Sequence, residues 1–407
     1  MTGGMKLVLS RRNTQKTAIA AVIMSFFVLS DYATLVYVVK IAAILLLLLT
    51  ERRVRGGAYL RWIAGFLAIS AASILWAADR GNALFYLAWI LQAVGLALAI
   101  ENSIHGQADI EYILRCFIVA GLALMVRMLM STSLSALGSF RLGNMRGFNA
   151  NEIALKASIA CISAFYQYTR SRRRGQRIGL MTATVLLALF VFLTGSRKGT
   201  VMVLAGIVLY NLVRSGSWVR YLRNILISAL IVAAFLIVVT RVEALNNVLG
   251  ARLIRLLNMF DADADTAAIG NSISNRLDFI SIGMDLFRDR PLFGYGLGNY
   301  QNVSGLNLYA HNNYVELLVD LGLVGTAIYY TIYASNIVNI LRIIRRRREL
   351  LAVMLAFSAM LLVVEYGLVT FQSDYVQIII ALSYAAVRVV RAESAGGGAT
   401  QKRRSAA

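Results

Sequence analysis

The stretch ATLVYVVKIAAILLLLLTERRVRGG (33–57) sets an unbroken run of mostly apolar residues against an abrupt basic cluster, Arg52, Arg53 and Arg55. A helix over 33–50, rising about 1.5 Å per residue, is just long enough to cross a hydrocarbon layer of roughly 30 Å. Lys and Arg gathered directly beyond such a run mark the end that stays in the cytoplasm. The same pattern recurs along the whole chain. Of 407 residues 59% are hydrophobic and one is proline, and the mean hydropathy is +0.68. A soluble chain of this length would carry polar faces on its surface helices, and these runs carry almost none. Backbone groups in lipid must pair within their own segment, so the fold expected is all-α and polytopic. A membrane barrel would instead show short alternating strands.

Twelve spans are expected, at about 17–31, 33–50, 60–77, 82–100, 110–130, 150–168, 178–194, 199–213, 222–240, 313–341, 351–371 and 373–391. The first is short, and the tenth is long enough to tilt or break. The net charge of +21 does not point to nucleic acid, because the basic residues sit in short clusters between the runs. One side holds Lys6, Arg11, Arg12, Lys16, Arg52, Arg53, Arg55, TRSRRRGQR (169–177), Arg214, Arg220, Arg223, RIIRRRR (342–348) and the tail QKRRSAA. The short loops of the other side hold only Arg80, Arg141, Arg146, Arg197 and Lys198. Both termini are therefore expected in the cytoplasm, in a multi-pass protein that touches membrane lipids through its basic clusters. The first run has no small-residue cleavage site and is read as a retained span. Cys116 and Cys161 fall inside spans and are read as small core residues.

The expected organisation is helices 1–9 over 1–240, an external loop domain over 241–312, helices 10–12 over 313–391 and a cytoplasmic tail over 392–407. The loop holds Pro291 and seven of the chain's twenty carboxylates, which makes it too polar to be a linker between spans. Within it NRLDFISIGMDLFRDRPLFGYG (275–296) alternates apolar and charged residues, as an amphipathic helix around 274–289 requires. GYGLGN (294–299) resembles phosphate-cradling glycine loops but lacks the flanking strand and helix they need, so by itself it reads as a turn. DADAD (261–265) begins like a calcium loop, yet Thr266 stands at the glycine position and Ser272 at that of the bidentate glutamate. No metal site or cofactor follows from the residues.

Basic residues on the external side need a reason, because topology disfavours them there. Arg141 and Arg146 lie in SFRLGNMRGFNANE (139–152), and Arg197 and Lys198 in TGSRKGT (194–200). Guanidinium forks suit phosphate oxygens, while headgroup snorkelling is the plainer explanation. His311 precedes the tenth span, and Glu316 and Asp320 follow it four residues apart, hence on one helical face. Carboxylates at that depth are functional or paired.

Three of these stretches resemble the O-antigen ligase and Wzy-type polysaccharide polymerase superfamily. RGFNANE (146–152) is similar to an Arg-Gly … Pro-Asn element, with Ala150 in place of the proline. TGSRKG (194–199) is similar to a Thr-x-Ser-Arg-Gly turn, with Lys198 intervening. SNRLDFISIGMDLFRDRPLFGYGLGNY … HNNYVELLVDLGLVG (274–325) resembles the family's Arg … Pro-Leu-x-Gly-x-Gly … His-Asn … Gly-x-x-Gly block. The resemblance implies a metal-independent glycosyltransferase of the GT-C type in a bacterial inner membrane. Its donor would be an undecaprenyl-diphosphate-linked glycan, and its acceptor a hydroxyl of a glycan or lipid outside the cytoplasm. His311, Arg276 and Arg197 are then the expected catalytic residues. Arg146, Lys198, Asn151, Asn312 and Glu316 are the expected substrate contacts. Ligase and polymerase differ in acceptor, and the sequence leaves both open. The alternative from another class is a transporter or flippase for a lipid-linked or anionic substrate, for which internal repeats and a midplane site are expected.

Overall fold

The computed structural model describes residues 11–51, 56–132, 149–223 and 266–405, with isolated positions between 224 and 265. The side chains of Arg197, 266–276 and 396–405 are not among those described. Arg141, Arg146, the DADAD segment and most of the expected ninth span lie outside the described residues.

The apolar runs form helices, and no strand occurs among the described residues. In chain order they are α1 (Arg11–Val28), α2 (Ala33–Thr50), α3 (Ala58–Ala72), α4 (Arg80–Ser103), α5 (Gln107–Met130), α6 (Ala150–Arg170), α7 (Arg174–Leu193) and α8 (Arg197–Ser215). There follow α9 (Thr266–Asp289), the single turn α10 (Tyr300–Val303), α11 (Asn313–Ile343), α12 (Arg348–Glu365) and α13 (Asp374–Ser405). Seven helical stretches are long and apolar enough to cross a membrane: 33–50, 58–75, 80–103, 107–130, 174–193, 313–346 and 374–395. Two of the remaining expected spans, α1 and α12, each carry three charged residues in eighteen. The chain is thus an all-α protein with several membrane-crossing helices.

Burial grades across the bundle. In α13, 83% of the most apolar window is enclosed, against 17% in α2. Leu45, Leu46, Leu48 and Leu49 of α2 stay exposed as they would toward lipid, while Val376, Ile379, Leu382 and Ala386 of α13 are buried. Cys116 and Cys161 are both buried thiols.

Helix ends sort into two faces. At one, Glu51 meets His105 at 3.0 Å, Arg170 meets Glu349 at 3.3 Å, Arg214 meets Glu349 at 3.0 Å and Arg347 meets Glu393 at 3.1 Å. The arginine-rich turns gather here. At the other, the Asp79 N–H donates to Asn299 Oδ1 at 2.7 Å, and Ser196 Oγ donates to Asn151 Oδ1 at 2.9 Å. Asn313 Oδ1 accepts from the N–H groups of Thr370 and Phe371 at 2.8 and 3.1 Å.

The long helix α11 is broken. Gly322 has φ 63° and ψ −166°, a region open essentially to glycine alone. The chain that follows α9 fills the break. Leu323 N–H donates to Pro291 O at 2.8 Å and Val324 N–H to Leu292 O at 3.2 Å. In return Tyr295 N–H reaches Val319 O at 2.9 Å and Gly296 N–H reaches Asp320 O at 2.8 Å. The backbone groups freed by the kink are therefore paired by this inserted loop. That loop leads directly into the residues singled out by sequence.

Candidate active site

The glycine turn 294–299 does cradle an anion, and the anion is the chain's own. Gly298 N–H donates to Asp320 Oδ2 at 2.6 Å, and the N–H groups of Asn299 and Tyr300 each reach Oδ1 at 2.9 Å. Successive amides converging on one carboxylate form an anion nest, and Asp320 has no exposed surface. The turn's shape follows from its glycines. Gly294, Gly296 and Gly298 all have positive φ, and a Cβ on Gly298 would fall 2.5 Å from the Tyr86 ring. Tyr300 completes the anchorage by donating its hydroxyl to Phe279 O of α9 at 2.7 Å. Burial pushes this phenol above its ordinary range, which keeps it a donor.

One turn below the mouth of α11, Glu316 is 1% exposed, and its Oε2 accepts the Ala310 N–H at 2.6 Å. Asn312 caps the helix, accepting from Tyr314 N–H at 3.0 Å and Val315 N–H at 3.3 Å. Between these two anchors stands His311, half-buried and held at φ 54°, an uncommon conformation for a residue with a Cβ. Its ring stacks on Phe279, centroids 5.7 Å apart and 20° between planes, and meets Tyr309 at 4.0 Å. Arg276 lies on α9 three residues before Phe279, so its backbone is within one turn of the ring that supports His311.

The other expected contacts gather where α6 and α8 begin. Ser196 caps α8 through Gly199 N–H at 3.2 Å and is itself tied to Asn151. Arg197 is thereby fixed at the first turn of α8. The Lys198 side chain lies over Gly367, occupying the space a Cβ there would need. Asn151, Asn312 and Glu316 thus have hydrogen-bonding work within the fold, beside any contact with a substrate.

Beside Glu316, the one expected site residue among its described lining, opens a cavity of ≈ 480 Å³, bounded by α1, α2 and the turn between them, α4, the start of α6, the loop before α11 with the first turn of α11, and the α12–α13 turn. Glu316 and Tyr309 line it, so His311 reaches the cavity through Tyr309. Two lysines that sequence reasoning passed over also line it. Lys40 is 4% exposed and pairs with Asp374 at 3.2 Å, and Lys156 is 3% exposed and pairs with Glu152 at 2.7 Å. Their signal was available, since each is a lone cation inside an apolar run, and such residues are costly unless used.

The family model described as O-antigen ligase matches residues 182–330, from within α7 to within α11. That stretch is similar to an O-antigen ligase family domain. Among curated proteins none matches the chain. The matched stretch takes in Arg197, Arg276, His311 and Glu316, together with the glycine turn and the broken helix. Arg146 and Asn151 precede it, as do the cavity walls from α1, α2, α4 and α6.

Proposed function

We propose that the protein is a membrane glycosyltransferase of twelve spans and GT-C-like form, with both termini in the cytoplasm and its site on the external face of a bacterial inner membrane. It moves a glycan from an undecaprenyl-diphosphate carrier to an acceptor hydroxyl during surface-polysaccharide assembly, as O-antigen ligase or as Wzy-like polymerase. The observation that carries this reading is His311. It is locked in a left-handed backbone conformation between Tyr309 at the cavity wall and Phe279, which stands one helical turn after Arg276 on α9. Such a posture costs about 1–3 kcal/mol where the surroundings must impose it, and sites are where it is imposed.

In the proposed step the acceptor oxygen attacks the anomeric carbon of the donor. The bond from that carbon to the diphosphate oxygen breaks, and its electron pair leaves with the diphosphate. The acceptor's proton passes to His311, or is oriented by it. Arg197 and Arg276, with Arg146, meet the charge that grows on the departing diphosphate, where fixed cations act most strongly. This reading uses those cations and no metal ion.

A broken helix also suits a transporter. At Gly322, however, the N–H groups of Leu323 and Val324 and the carbonyls of Val319 and Asp320 are taken by residues 291–296 and are not offered to a passing substrate. The test is donor binding and glycan transfer, measured in parallel on purified, reconstituted variants. His311→Ala is expected to bind the lipid-linked donor as the wild type does and to transfer about 10²–10⁴-fold more slowly. Arg276→Ala is expected to lose both. Undiminished transfer by His311→Ala overturns the proposal.

A further inference from the structure

The described lining of the cavity beside His311 suits neither a diphosphate nor a polyprenyl chain. Among its described lining residues are two lysines, Lys40 and Lys156, and three carboxylates, Glu152, Glu316 and Asp374. Each lysine is already engaged, to Asp374 at 3.2 Å and to Glu152 at 2.7 Å. A polyanion entering here would meet, among the described residues, two lysines already neutralised by their partners and a surplus carboxylate. A hydrocarbon tail would have to lie against five ionisable groups, which buried apolar surface does not tolerate.

What remains of the wall is aromatic and hydrogen-bonding. Tyr37, Tyr86, Trp89, Tyr309 and Tyr375 contribute to it, with Tyr86 and Trp89 adjacent at 6.3 Å between centroids. Gln372 also lines the cavity, and its Oε1 is buried with no donor among the described residues reaching it. A buried acceptor without a donor carries a free-energy cost that a ligand's O–H group relieves. Ring faces beside a few fixed acceptors are what a neutral, hydroxyl-rich ring requires: its C–H faces pack on aromatics, and its hydroxyls donate to carboxylate and amide oxygens. The volume, ≈ 480 Å³, lies within the ~300–1,000 Å³ of small-ligand sites.

We propose that this cavity is a pyranose subsite, with Gln372 Oε1 and Glu316 receiving sugar hydroxyls and Trp89 and Tyr86 supplying stacking faces. The inference rests on the glycosyltransferase reading only for the origin of the sugar, which is either the donor's first residue or the acceptor's terminal one. In both cases the cavity is assigned to the sugar and not to the diphosphate.

The test uses the full chain in lipid nanodiscs and three probes. These are undecaprenyl diphosphate alone, the lipid-linked glycan from the expression host, and the free oligosaccharide released from that host's surface polysaccharide. Gln372→Ala and Trp89→Ala are compared with wild type. A donor-sugar subsite predicts that each variant binds the lipid-linked glycan about tenfold more weakly and undecaprenyl diphosphate equally well. An acceptor subsite predicts the same loss for the oligosaccharide, with both lipids unaffected. Equal loss for undecaprenyl diphosphate alone makes the cavity an anion site and overturns the proposal. Unchanged binding of all three probes overturns it as well. Oligosaccharide binding that depends on Gln372, in a chain that transfers no glycan, would sink the glycosyltransferase reading and leave the subsite standing.

Discussion

Asp320 receives three backbone N–H groups on one carboxylate, and Glu316, one turn away, receives a fourth from Ala310. The sequence shows the two carboxylates on one helical face, and it shows a glycine-rich stretch that by itself reads only as a turn. It does not show that each is the other's partner, because that pairing closes a loop of some twenty residues whose path no local propensity dictates. The consequence for stability is specific. In Asp320→Asn one oxygen becomes an NH₂ group, which cannot accept, so at least one buried N–H among residues 298–300 loses its partner in either amide orientation. The expected loss is about 1–3 kcal/mol, read as a lower melting temperature of the detergent-purified protein and faster proteolysis within 290–312. Asn302→Ala removes only an exposed bond to Asp79 at 3.3 Å and serves as the control, with a change within about 0.5 kcal/mol. Equal melting of Asp320→Asn and wild type would remove the carboxylate from its place as keystone of the turn. Lys40 and Lys156 teach the opposite lesson about legibility. Both are visible as charges in apolar runs, but only the packing of α2 and α6 around one cavity shows that they belong to a site.

At the scale of elements, α11 and the loop 290–299 are one unit. Length alone indicates that the span must tilt or break, and a Gly at 322 is compatible with either. The break is decided by upstream backbone, residues 291–296, that pairs with both sides of the kink. Gly322 is required twice over. Its φ and ψ lie where an L side chain costs about 1–3 kcal/mol, and a Cβ there would sit 2.3 Å from the Leu292 carbonyl carbon. Gly322→Ala is therefore expected to reduce folded protein severely, measured as the monodisperse fraction on size-exclusion chromatography after membrane extraction. Gly95→Ala, within α4 and with nothing within 4 Å of the added carbon, is expected to leave that fraction unchanged. Normal yield from Gly322→Ala would mean that α11 can straighten and release the loop. The inserted segment explains why the polar turn lies at a helix mouth: α11 and the glycine loop hold each other and present Ala310 and His311 between them.

At the scale of the whole molecule, the described arginine-rich turns lie at one end of the helices. TRSRRRGQR (169–177) and RIIRRRR (342–348) meet at one end through the Arg170–Glu349 pair, and the cavity, His311 and the glycine turn occupy the other. This separation was legible because the positive-inside bias is summed over many loops and does not depend on any one contact. The cavity was not, since its described walls come from five separate parts of the chain. Orientation can be tested without disturbing the site. Leu308 is 48% exposed just before the α11 cap, and Ser171 lies at the opposite end, next to Arg170. The native thiols Cys116 and Cys161 are buried, 8% and 0% exposed, and give little background. In intact cells with a permeabilised outer envelope, a membrane-impermeant maleimide is expected to label Leu308→Cys. The same reagent is expected to reach Ser171→Cys only after the inner membrane is opened. Labelling of both without opening it would break the two-ended arrangement of helices. The inverse result, with Ser171→Cys reactive and Leu308→Cys protected, would place His311 and its cavity in the cytoplasm. A donor whose glycan is displayed outside the cell could not then reach the histidine, and the proposed transfer would fail on geometry alone.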